Sequence, residues 1–72
     1  MNASSELNRT EMLAIRLEML KREHRDLDMA ITAEMAAPLP DRLNLQRMKK
    51  HKLALKDQIT AISAQLIPNI IA

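Results

Sequence analysis

At 72 residues with a net charge of +2, the chain is short for a folded domain and only mildly basic overall. It contains no Cys, no Gly and no Phe, Trp or Tyr. These zeros exclude disulfide frameworks, thiolate metal sites, thiol redox chemistry, Gly-rich phosphate loops and aromatic platforms for single-stranded bases.

What remains is rich in Leu, Met, Ile, Ala, Lys, Arg and Glu, the vocabulary of long helices. Ser4 or Ser5 can cap a first helix with Glu6 in its first turn, and Asn8 with Glu11 forms an alternative capping box. The stretch Met1 to Met12 has no apolar run and carries Glu6, Arg9 and Glu11, so no secretory signal is expected. Helix 1 is predicted over about residues 5–36. Its apolar seam is Leu13, Leu17, Leu20, Leu27 and Ile31 at alternating spacings of four and three, with His24 as a polar intruder. Off that seam, Met12, Ile15 and Met19 form a second apolar patch.

Pro38 and Pro40 flank Leu39 and end the first helix, because Pro38 biases Ala37 away from helical angles. Asp41 is then a good N-cap, its carboxylate placed to accept the amide hydrogen of Leu43 or Asn44. Helix 2 is predicted over about residues 41–67, with the seam Leu45, Met48, Leu55, Ile59, Ile62 and Leu66 and a second intruder, Lys52. Pro68 closes it, and the apolar tail Asn69 to Ala72 is expected to fold back over the hairpin end, with a docking peptide as the alternative. The uncharged stretch Gln58 to Ala72 is too short and too polar for a membrane span. A cytoplasmic protein is the expectation.

A loop this short makes the helices antiparallel neighbours within one domain. The predicted layers set Leu13 against Leu66, Leu17 against Ile62, Leu20 against Ile59, His24 against Leu55, Leu27 against Lys52 and Ile31 against Met48. The same register brings Asp28 beside Lys49. Charge supports the pairing. Residues 1–40 hold five Lys/Arg and seven Asp/Glu, whereas residues 41–72 hold six and two.

His24 and Lys52 interrupt the two seams at nearly the same height. A lysine in apolar surroundings loses pKa and a neighbouring histidine can act as a base, yet no nucleophile, orienting acid or pocket-forming loop accompanies them. His24 and Asp28, at i and i+4 with Glu23 nearby, supply too few ligands for a mononuclear metal site. No catalytic residue, cofactor or metal is therefore expected. A polar pair inside a seam is better read as a register-setting device, with the Lys52 stem packed and its ammonium wet. The run Arg47 to Lys52 spreads round a helix, so only Lys49, Lys50 and Lys56, with Arg47 at the edge, form an outward basic patch. Neutralisation by Glu23, Asp26 and Asp28 is its ordinary explanation, and salt-sensitive phosphate binding the alternative.

Two strings carry a family resemblance. Glu23-His24-Arg25-Asp26-Leu27-Asp28-Met29-Ala30-Ile31 resembles the EHxxLDxxI element of the YdcH-like family of small bacterial proteins, and Leu45 to Ile59 resembles its LKKxKLxLKDxI element. The ending Pro68-Asn69-Ile70-Ile71-Ala72 is similar to a PDIIA-type tail, with Asn69 where Asp is usual. The matching polar residues are His24, Asp28, Lys49, Lys50, Lys52, Lys56 and Asp57. The resemblance implies a helical hairpin in the bacterial cytoplasm and brings no assigned activity.

The reading is an all-α, coiled-coil-like hairpin that self-associates into a dimer or four-helix bundle. Two-helix units of this size bury little surface, and the Met12/Ile15/Met19 patch asks for a second copy or a protein partner. Nucleic-acid binding through Lys49, Lys50 and Lys56 is the second reading.

Overall fold

The computed structural model describes residues 2–66, with side chains from Asn8 onward. It consists of two helices, α1 (Asn2–Met35) and α2 (Arg42–Leu66), packed against each other as an antiparallel hairpin. The predicted end of the second helix near residue 67, Pro68 and the tail Asn69 to Ala72 lie outside the described residues.

α1 starts at Asn2, so Ser4 and Ser5 stand within its first turns and not at its cap. Once a helix is nucleated, adding a residue costs little, and Asn, Ala and Ser are all tolerable in a first turn. At the other end the helix tightens as it stops. Ala36 still donates to the Thr32 carbonyl at 3.1 Å, but Ala37 donates to that of Glu34, also at 3.1 Å, a three-residue closure. Pro38 has no N–H to continue the ladder.

The chain reverses without any residue at positive φ among those described, which matches a sequence that has no glycine. Leu39 is the exposed tip of the turn. Asp41 then caps α2: its Oδ1 accepts the Asn44 N–H at 3.1 Å and its carbonyl accepts the Leu45 N–H at 2.9 Å. Asp41's own N–H donates to Glu34 Oε2 at 2.9 Å, so the last turn of α1 secures the first of α2.

The seams meet. Leu20, Leu55 and Ile62 form the buried cluster, with Leu13, Leu17, Leu27, Ile59 and Leu66 packed against it half-buried. Ile31 is buried as well, nearer the turn. Leu55, 3% exposed, is the most enclosed of the four buried apolar residues, and no described side chain is completely shut off from solvent. The molecule measures 56 × 28 × 15 Å, a slab one helix thick. Its radius of gyration of 16.5 Å compares with about 11 Å for a compact chain of this length.

Candidate interaction surfaces

The seam divides the slab into two unlike flanks. On one, α1 carries Met12, Ile15 and Met19, which are 69%, 61% and 65% exposed. They border a groove of about 590 Å³ that descends to the buried Leu20 and Leu55. Arg16 and Glu23 from α1 and His51 and Gln58 from α2 complete its lining. His51 Nε2 lies 3.4 Å from Glu23 Oε2, a cross-helix contact near the groove's end. A further depression past Met12, lined by Asn8, Arg9, Leu13 and Arg16, extends the surface toward the start of α1. The patch legible in the sequence is thus one side of an apolar groove whose floor is the hairpin core.

The opposite flank is basic. Lys49, Lys52 and Lys56 fall on one side of α2 and surround a depression of about 410 Å³ with His24, Ile31 and Leu53. The Lys52 stem is half-buried and its Nζ donates to Asp28 Oδ1 at 2.6 Å, while the two side chains stay 36% and 55% exposed. Asp28 therefore pairs with Lys52, where the sequence register sets it beside Lys49. A lysine stem is long enough to reach Asp28 from either position, and the seam lysine, already aimed at α1, takes it. The hydrogen bond from Lys52, and then its charge, hold the Asp28 carboxyl below its ordinary value of 3.8; partial desolvation opposes this and His24 adds to it.

The candidate residues do not all converge. Met12, Ile15 and Met19 share the apolar groove, and Lys49 and Lys56 share the basic depression with His24 and Lys52. Lys50 is not part of that depression: it lies about 100° round the helix from Lys49 and faces away. His51 belongs to the apolar flank, opposite its basic neighbours. Three features were missed in the sequence: the His51–Glu23 contact, the Glu34 tie to Asp41, and the exposure of Leu53 among lysines. The first had a signal, because Glu23 and His51 each precede a seam position and so flank the same side. Glu34 had none, since no local motif links it to a residue seven positions on.

Among the described residues, no three His, Asp or Glu side chains are grouped to hold a metal ion. No described helix is long and apolar enough to cross a membrane. Neither the curated proteins nor the solved structures contain a match to the chain. The family described as a protein of unknown function, DUF465, matches residues 17–63, which takes in α1 from Leu17 onward, the turn and α2 as far as Ser63, and leaves Met12, Ile15 and Arg16 outside. The chain belongs to the DUF465 family of proteins of unknown function.

Proposed function

We propose that this protein is a non-enzymatic, coiled-coil-like helical hairpin, one domain long, that works by self-association and by binding other proteins. One observation carries the reading: three large apolar side chains stand more than 60% exposed beside a groove that opens onto the core itself. A hairpin left like this in water keeps its most buried residues only one side chain away from solvent. Contiguous apolar surface of that kind marks an association site. The YdcH-like resemblance is compatible with the family and supports a bacterial, cytoplasmic setting.

Sedimentation equilibrium tests the reading. Self-association at micromolar concentration is the expected result, and a stable, cooperatively unfolding monomer contradicts it. For a protein partner, capture with the tagged chain from its own cells is compared with a Met12→Ser, Ile15→Ser, Met19→Ser variant. A partner recovered equally by both contradicts binding through the patch.

The basic flank favours a second reading, phosphate contact by a nucleic acid. Lys49, Lys50 and Lys56 make no ion pair among the described residues. Filter binding of RNA and DNA across a salt series tests it, and affinity unchanged by Lys49→Glu with Lys50→Glu contradicts it.

A further inference from the structure

We propose that the occupant of the apolar groove is a second copy of this chain, related by a two-fold axis that sets the two α1 helices antiparallel. The inference rests on the self-association reading above and deepens it by naming the surface and its symmetry.

Area is the first argument. The chain exposes 6226 Å², whereas a compact monomer of 8.2 kDa exposes about 4,500 Å². The excess, about 1,700 Å², is roughly twice the 800 Å² or so that each partner contributes to a stable interface of standard size. A slab 15 Å thick gains a second layer most directly by stacking on its own copy.

Charge chooses the flank. A two-fold interface sets a patch against itself, so a patch of one sign repels its mate. The flank bearing Lys49, Lys52 and Lys56 is of that kind, with Asp28 as the carboxylate paired there. The apolar groove carries both signs on its α1 lining, Arg16 and Glu23. They lie seven residues apart, too far to pair with each other within one helix, where neighbours are three or four apart, and the contact Glu23 makes in its own chain is with His51 at 3.4 Å. An antiparallel two-fold sets Arg16 of each copy across from Glu23 of the other, twice. Met19, between them in the sequence, then lies near the axis, in the dry centre of the interface.

Sedimentation equilibrium of five proteins decides the matter, with circular dichroism to show that each stays helical. The wild-type chain is expected to dimerise. Met12→Glu with Met19→Glu is expected to raise the dissociation constant by well over tenfold, since the two new carboxylates at position 19, one from each copy, then meet near the axis and those at position 12 come opposite the Asp26–Leu27 stretch of the other copy. Arg16→Glu alone and Glu23→Arg alone are each expected to weaken the dimer about fivefold, because each contact occurs twice. The Arg16→Glu, Glu23→Arg double variant is expected to recover to within about twofold of wild type. A residue needed only for folding of one hairpin gives no such rescue.

A monomeric wild-type chain overturns the self-association reading and this inference with it. A wild-type dimer that survives Met12→Glu with Met19→Glu, or a charge exchange without rescue, overturns the inference alone and leaves self-association standing on another surface.

Discussion

Lys52 occupies a seam position that Leu or Ile would fill more stably, and its ammonium reaches out of the seam to Asp28 at 2.6 Å. The pair is exposed enough for solvent to screen it, so its contribution to stability is expected to be small. The pH dependence has a definite sign. The folded-state pKa of Asp28 is depressed below 3.8 by Lys52, so the pair's contribution is fully present above 3.8 and lost as pH falls through the lower folded value. The melting temperature of wild type is therefore expected to exceed that of Asp28→Asn at neutral pH. The gap is expected to close progressively as the pH drops below 3.8. A gap independent of pH contradicts the role given to the carboxylate.

Leu55 carries the other residue-scale expectation. It is the most buried side chain, and Leu55→Ala is expected to cost roughly 2–3 kcal/mol in urea unfolding, toward the lower end for such truncations because the open groove beside it leaves less of a closed cavity. Both residues were legible in the spacing of apolar positions. The partner of Asp28 was not, because two lysines three residues apart sit on one helical face and side-chain packing alone chooses between them.

At the scale of the elements, the hairpin depends on how one helix stops and the next begins. Pro38 denies α1 its next hydrogen bond, and Asp41 accepts the Asn44 N–H that α2 cannot satisfy within itself. Asp41→Ala is expected to lose about 1 kcal/mol of stability in urea unfolding and to speed hydrogen exchange at the Asn44 amide. Glu34→Ala removes the acceptor for the Asp41 N–H, which water can replace, so a smaller loss, about 0.5 kcal/mol, is expected. The two losses are expected not to add, since both act on the same turn. Prolines and an aspartate at a fixed offset announce such a turn in any sequence. The start of α1 is harder to read, because serine and asparagine cap helices well and are also tolerated inside the first turn.

For the whole molecule, 72 residues suffice to build a seam but leave it without a second wall. The apolar periodicity made the seam and the Met12/Ile15/Met19 patch visible, since both are properties of one helix at a time. The groove between the patch and the core could not be read from either helix alone. It lies between α1 and α2 over Leu20 and Leu55, with His51 and Gln58 on the far side. The two flanks then differ in a way that composition hides: one apolar with mixed charge, the other basic. In the proposed dimer that difference assigns the second copy to the apolar flank.

The most direct test of an incomplete core completed by a second copy is the thermal unfolding of the intact chain, followed by circular dichroism over a roughly hundredfold range of protein concentration. If folding and association are coupled, the melting temperature rises with concentration across that range. Curves that superimpose at every concentration, with a single cooperative transition, contradict the account.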